Sequence, residues 1–252
     1  MRDNKDVFST VEFRRWAERF SLHADEHFVI SRYLRRTAKT LEGGTGAGRI
    51  LLAMKDMGFT SLYGFDFVPE FIAQARARDT DNAIRFEVQD ATRLSYDDAS
   101  FDQIVYLQQL LCFMEDADQR RAALNEAFRV LRPGGTALFS VLSYEARLNS
   151  RLGFWFVQYL RLLRWLTRPN RSEQALPWMR LGGRFNPGCL LDRGPYVYWF
   201  KLREIADLLR AAGFQFRAVA SVRQIRAGQM AASPEALPEP SLGGTLYCVC
   251  TK

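Results

Sequence analysis

Glu42-Gly43-Gly44-Thr45-Gly46-Ala47-Gly48 is the stretch on which the fold turns. It follows a short extended piece ending in Leu41-Glu42 and runs into a helix-forming segment, Arg49 to Met57. Gly44, Gly46 and Gly48 fit an acidic-x-Gly-x-Gly-x-Gly spacing. Tight turns need positive φ, and a side chain would keep the backbone from lying against a ligand. At the open end of a parallel sheet, where strand order reverses, such a turn binds a nucleotide-like ligand. Two competing loops fit less well. A dinucleotide loop wants Gly-x-Gly-x-x-Gly, and counted from Gly44 its last position is Arg49. The Gly-Lys-Ser/Thr ending of a triphosphate loop is missing.

Outward from the turn, strands alternate with helices. A strand Ser61–Phe67 carries Asp66 at its end, and Pro69 opens a helix to about Arg78. Ile84–Val88 and Phe101–Leu107 read as strands, Asp116–Leu131 as a helix stopped by Pro133-Gly134-Gly135, and Thr136–Leu142 as the next strand. After residues 144–199 interrupt the rhythm, a helix Lys201–Ala212 and strands Phe214–Val222 and Leu246–Thr251 resume it. This alternation predicts a Rossmann-like α/β fold, a doubly wound, mostly parallel sheet with crossover helices on both faces. Toward the start, residues 8–38 read as two helices, the first marked by Val11, Trp16 and Phe20, the second by Phe28, Val29, Tyr33 and Leu34. The expected organisation is one domain over 1–252: a helical cap (1–38), a core (39–143), an inserted lid (144–199) and the C-terminal part of the sheet (200–252).

Asp66 ends its strand 18 positions after Gly48, where a carboxylate accepts hydrogen bonds from a ribose diol. Asp90 follows the next strand in Val88-Gln89-Asp90-Ala91, placed to accept from an adenine amine while the Ala91 amide faces a ring nitrogen. Each aspartate alone also suits a turn or cap. Together with the glycine turn they put ligand-facing groups at the ends of three consecutive strands.

The runs Leu41–Arg49, Leu62-Tyr63-Gly64-Phe65-Asp66, Gln89-Asp90-Ala91, Phe101-Asp102-Gln103-Ile104-Val105 and Glu126-Ala127-Phe128-Arg129-Val130-Leu131-Arg132-Pro133-Gly134-Gly135 resemble the class I methyltransferase superfamily. The resemblance covers roughly residues 28–143 and, more loosely, 200–252. It implies a seven-stranded sheet with an antiparallel last strand, and S-adenosylmethionine as cofactor. By position it implies that Glu42, Gly43, Gly44, Gly46 and Gly48 surround the methionine part. It places Asp66 on the ribose, Phe67 near adenine, Asp90 and Ala91 on the adenine edge, and Leu107 and Gln108 by the sulfonium. Gly43 departs from the family, whose members often carry a branched apolar residue there, and is expected to loosen the turn. DNA amino-methyltransferases carry an Asn/Asp-Pro-Pro-aromatic turn after the fourth strand; Leu107-Gln108-Gln109-Leu110 stands here, which argues against that substrate.

An oxygen acceptor usually needs a base. The two histidines, His23 and His27, sit on the N-terminal segment, and His27 is a weak candidate; Gln108 and Gln109 are candidates to orient an acceptor. A nicotinamide-dependent oxidoreductase and a non-catalytic cofactor-binding protein are the competing readings.

Residues 144–199 hold nine arginines against Glu145, Glu173 and Asp192, a net +6 in a chain of net +7. Leu152, Trp155, Phe156, Tyr159, Leu160, Leu163 and Leu166 recur at helical spacing, with Arg151, Gln158, Arg161 and Arg168 mostly opposite. A helix of this kind suits a lid packed on the domain, and also peripheral contact with a membrane through 151–168. Arg147, Tyr196 and Tyr198 are candidate acceptor contacts, and Trp178, Phe185 and Trp199 add aromatic surface. The expected acceptor is a small or medium-sized molecule methylated at oxygen, with anionic and glycan- or lipid-linked compounds included.

Composition sets the outer bounds. In 252 residues, 48% are hydrophobic and 25% charged, the balance of a globular chain. Cys112 and Cys189 are isolated, Cys248 and Cys250 alternate on one strand face, and no metal site is expected. The polar start Met1-Arg2-Asp3-Asn4-Lys5-Asp6 lacks a signal-peptide core and no run reaches the ~20 apolar residues of a spanning helix, so a cytoplasmic location is expected.

Overall fold

Alternate residues of the central strands enter two separate apolar clusters, one on each face of the sheet. In the computed structural model, which describes residues 21–114, 116–238 and 242–252, Ala137, Phe139 and Val141 point to one side and Leu138 to the other. Likewise Leu246, Cys248 and Cys250 share one face while Tyr247 and Val249 take the opposite one. Two-sided burial is why these strands read as near-continuous apolar runs.

The chain order begins α1 (Ala24–Tyr33), β1 (Thr40–Gly43), α2 (Arg49–Asp56), β2 (Leu62–Asp66), α3 (Pro69–Arg78), β3 (Ile84–Val88) and β4 (Phe101–Tyr106). It continues with α4 (Ala117–Val130) and β5 (Leu131–Leu142). The seven-stranded sheet is closed by α7 (Leu202–Ala211), β10 (Gln215–Ser221), α8 (Val222–Arg226) and β11 (Thr245–Thr251). Between β5 and α7 lie α5 (Tyr144–Asn149), α6 (Arg151–Thr167), β6 (Ala175–Pro177), β7 (Arg180–Leu181), β8 (Arg184–Phe185) and β9 (Tyr196–Tyr198).

Strand order is β10-β11-β5-β4-β1-β2-β3. β1 pairs in parallel with β2 and β4, and β11 runs antiparallel to both β5 and β10. The expected mostly parallel sheet with an antiparallel last strand is therefore present. The chain leaves β3 at one edge and re-enters beside β1 as β4, which puts the topological switch point between β1 and β4. α4 and α7 cover one face through Ala123, Leu124, Ala127, Ile205 and Leu209. The opposite face takes α1, α2 and α3 through Val29, Ile30, Ile50, Leu51, Met54 and Ile72.

One expectation changes. α4 ends at Val130 and β5 starts at Leu131, so Pro133-Gly134-Gly135 lies inside the strand. Proline lacks an N–H for the ladder, and the β4–β5 register shifts between Phe101 and Gln103, opposite this segment. Gly134 N–H instead donates to the Lys252 carbonyl at 2.9 Å, so the last residue holds the strand entry. Of the two N-terminal helices, the second is α1; the one marked by Val11, Trp16 and Phe20 lies outside the described residues.

α1 is fastened to the glycine turn by one buried ion pair. Arg49, the first residue of α2, donates through Nη1 to Glu26 Oε2 at 2.6 Å and through Nη2 to Glu26 Oε1 at 2.7 Å. Both side chains are 3% exposed. Removing one partner of such a pair leaves an uncompensated buried charge. Glu26→Ala is expected to lower the unfolding free energy by about 3–5 kcal/mol, read by urea denaturation. Glu26→Leu combined with Arg49→Met should recover much of that loss, because no charge is then buried alone.

Candidate active site at the carboxyl ends of β1, β2 and β4

β1, β2 and β4 end on the same edge of the sheet, and a cleft opens there. Its floor is the turn after β1, through Gly44, Thr45, Gly46, Ala47 and Arg49. Asp66, Phe67 and Phe71 form the wall beyond β2, and Leu107, Gln108, Leu110 and Phe113 the wall beyond β4.

The turn keeps its shape through a carboxylate. Asp66 Oδ2 accepts the Gly46 N–H at 2.9 Å and Oδ1 accepts the Val68 N–H at 3.0 Å. The Asp66 residue is 6% exposed. Burial pushes its carboxyl up to about 6, against the amides of Val68, Gly46 and Phe67, which stabilise the charge. Gly46 and Gly48 have φ of +53° and +80°, the left-handed conformation the turn needs.

Glu42 lies beneath the turn and is fully buried. Its Oε2 accepts the Thr45 hydroxyl at 2.6 Å, while Oε1 is buried with no hydrogen-bond partner among the described residues. Burial pushes Glu42 up to about 8, offset in part by Thr45 and the Arg49 charge, so at neutral pH it is mostly protonated. An orphaned buried carboxyl oxygen beside a bare backbone loop is what a cationic, hydrogen-bonding ligand would complete.

The remaining expected residues divide. Gly44, Gly46, Asp66, Phe67, Leu107 and Gln108 line the cleft; Glu42, Gly43, Gly48, Asp90 and Ala91 do not. Gly43 does not loosen the turn: a Cβ there would land on the Tyr106 ring and 2.8 Å from Phe65 Cζ, so two aromatic rings fill the space a branched side chain would take. Gly48 caps α2 and lets it approach Phe86 and Ala75. Asp90 is exposed, with Oδ1 accepting from the Thr92 amide and hydroxyl, each at 2.8 Å; Ala91 is packed in the core.

Gln108 and Gln109 both have φ of +61°. Left-handed backbone at a non-glycine residue costs of order 1–3 kcal/mol and persists only where the surroundings impose it. Here the Gln109 N–H donates to the buried Ser140 Oγ at 3.2 Å, and the bend turns Gln108 into the cleft. His27 is exposed on α1 and does not line the cleft.

The inserted segment reaches the cleft wall at Phe113, whose ring lies 5.4 Å from that of Trp178 between centroids, and β9 packs against the Leu110–Phe113 turn. Arg147 lies behind it, 5.6 Å from the Phe156 ring and 5.3 Å from the Trp199 ring, with Nη2 2.9 Å from Met179 Sδ. Tyr196 and Tyr198 commit their hydroxyls to the fold: Tyr196 donates to the Asp192 carbonyl, and Tyr198 to Glu204 Oε1 at 2.5 Å. Phe185 is exposed.

Sequence reasoning passed over Thr45, Ala47, Arg49, Phe71, Leu110 and Phe113 as site residues. A signal existed for Arg49, which stands where a dinucleotide loop would have its last glycine. Leu110 and Phe113 belong to a 3-10 turn, Leu110–Phe113, too short to show a periodicity.

Residues 41–139 match the family described as "Methyltransferase domain". The chain is 37% identical over 185 residues to demethylmenaquinone methyltransferase of Deinococcus radiodurans, covering 71% of this chain and 68% of that one. It is 34% identical over 106 residues to 27-O-demethylrifamycin SV methyltransferase of Amycolatopsis mediterranei, covering 40% and 38%. A crystal structure of a SAM-dependent methyltransferase from Methanosarcina mazei shares the fold, with a TM-score of 0.67, 21% identity, and 92% and 99% of the two chains covered. The chain belongs to the class I S-adenosylmethionine-dependent methyltransferases. Its cofactor is S-adenosylmethionine.

The raised Glu42 carboxyl carries a pH signature. Folded, Glu42 holds its proton up to about 8, while the unfolded chain releases it near 4.5. Stability from this group is complete below the lower value and is lost as pH rises through the window to the upper one. Glu42→Gln should flatten the fall in unfolding free energy across that window, measured by denaturant titration at a series of pH values.

Proposed function

We propose that the cleft holds S-adenosylmethionine and that the chain methylates an acidic oxygen of a small acceptor entering under residues 144–199. The observation that carries the cofactor placement is the orphaned Glu42 oxygen beneath a glycine turn clamped by Asp66. Glu42 with Gly44 and Gly46 would hold the methionine end. Asp66 would take the ribose hydroxyls and Phe67 the adenine face; Asp90 and Ala91, which do not line the cleft, are left out of the proposed site. Leu107 and Gln108 would border the sulfonium, which supplies an already activated methyl group when bound.

The protein's own part is then alignment and exclusion of water, worth up to ~7–11 kcal/mol. Phe71, Leu107, Leu110 and Phe113 supply the dry walls, and the strained turn at Gln108 presents a polar side chain to orient the acceptor. Asp66 and Arg49 are the charged side chains among the cleft-lining residues, and both are engaged in the fold. Neither is free to act as a base. An acceptor oxygen that ionises readily by itself, a phenol or an enol, needs none. Arg147, set among Phe156, Trp199 and Met179, offers such an anion a counter-charge next to the Trp178 contact. The relatives named for demethylmenaquinone and for 27-O-demethylrifamycin SV support a small-molecule acceptor.

Asp66→Ala is expected to weaken S-adenosylhomocysteine binding at least about tenfold, roughly 1.4 kcal/mol, by calorimetry. Unchanged affinity would remove Asp66 from the cofactor site. In methyl-transfer assays, simple phenols should be methylated faster as pH rises through their own pKa, while aliphatic alcohols of similar size stay inert. Equal rates for the two classes would refute the acidic-oxygen reading.

A further inference from the structure

The basic insertion carries an apolar ridge that nothing among the described residues covers. α6 seats its inner side, Val157 and Leu160, against Tyr144 and Leu176. The residues read from the sequence as one helical stripe are split by this seating: Phe156, Leu160 and Leu163 turn inward, while Leu152, Trp155, Tyr159 and Leu166 face outward. With Leu162 they recur at intervals of three and four, so they share one outer face. Leu152 is 86% exposed, Trp155 67% and Trp165 73%. Tyr159 Oη donates to the Leu190 carbonyl at 2.5 Å, which brings exposed Leu190 and Leu191 alongside. Apolar surface of this extent marks an interaction site.

The charge around the ridge identifies what it meets. Arg151 and Arg168 bracket α6, Arg193 follows Leu191, and Arg180 and Arg184 stand on the β7–β8 hairpin with exposed Met179 and Phe185. All five arginines are exposed and have no carboxylate partner among the described residues. The three acids of the segment are engaged elsewhere: Asp192 with Arg164 and Arg171, Glu173 with Arg161, and Glu145 with Ser143 and the Leu202 amide. A second copy docking by the same ridge would set one +6 segment against another, since a twofold contact meets itself. A convex ridge of Leu, Trp and Tyr edged by arginines instead matches the boundary of an anionic bilayer, where aromatic rings sit at headgroup level and cations meet lipid phosphates.

We propose that α6 with the 179–193 loops docks this protein on anionic phospholipid membranes, with the ridge lying in the interface plane. No helix among the described residues is long and apolar enough to cross a membrane, so the contact is peripheral. Docking places the insertion, and through Trp178 and Phe113 the cleft, beside the lipid. The contact stands apart from which acceptor is methylated.

The test is co-sedimentation of the full chain with vesicles of phosphatidylcholine and phosphatidylglycerol in equal parts, against vesicles of phosphatidylcholine alone. Binding to the mixed vesicles should be at least about tenfold tighter and should weaken with added salt. Trp155→Glu with Leu162→Glu should reduce it at least about tenfold with an unchanged melting temperature, since both side chains already face water. Arg168→Gln with Arg184→Gln should weaken binding to the mixed vesicles only. Absence of vesicle binding at low salt, or full binding by the double glutamate variant, overturns the proposal. So does a homodimer in sedimentation velocity that the same variant dissolves, because the ridge would then belong to a second copy.

Discussion

The Asp66 carboxylate is the constraint on which the cleft depends. It ends β2, yet one oxygen holds the Gly46 amide of the turn after β1 and the other starts the next helix through Val68. Parallel pairing of Glu42 with Gly64 and Gly43 with Phe65 sets the register that brings these groups together. A glycine turn without that clamp has many conformations of similar energy. With it, the turn has one shape, and the conformational entropy is lost before any ligand arrives.

Charge under the turn is arranged around burial. Glu42, Arg49 and Glu26 form a chain of ionisable groups in which Arg49 is held by Glu26 and faces the cleft. Glu42 keeps its proton because it is fully buried and one oxygen lacks a partner among the described residues. The Glu26–Arg49 pair ties α1 to the start of α2, so α1 and the glycine turn are one mechanical unit.

The insertion connects a buried site to an exposed surface. Its inner side joins the core at Tyr144 and Leu176 and reaches the cleft at Phe113. Its outer side is apolar and basic. On the two proposed readings, the same segment bears on acceptor access and on where the protein sits.

The order of strands and helices, the glycine turn, and Asp66 at the strand tip were legible in the amino-acid sequence. They rest on local causes: period-two and helical repeats, positive-φ turns and fixed spacing along one chain. The start of β5 was not legible, because pairing with the C-terminal Lys252 extends the strand through a proline and two glycines. Nor was the need for glycine at 43, which comes from rings on two other strands. The outward turn of Trp155 and Leu152 was likewise decided by tertiary structure. A helical repeat says that apolar residues share a side, and only the packing partners decide which side meets the core.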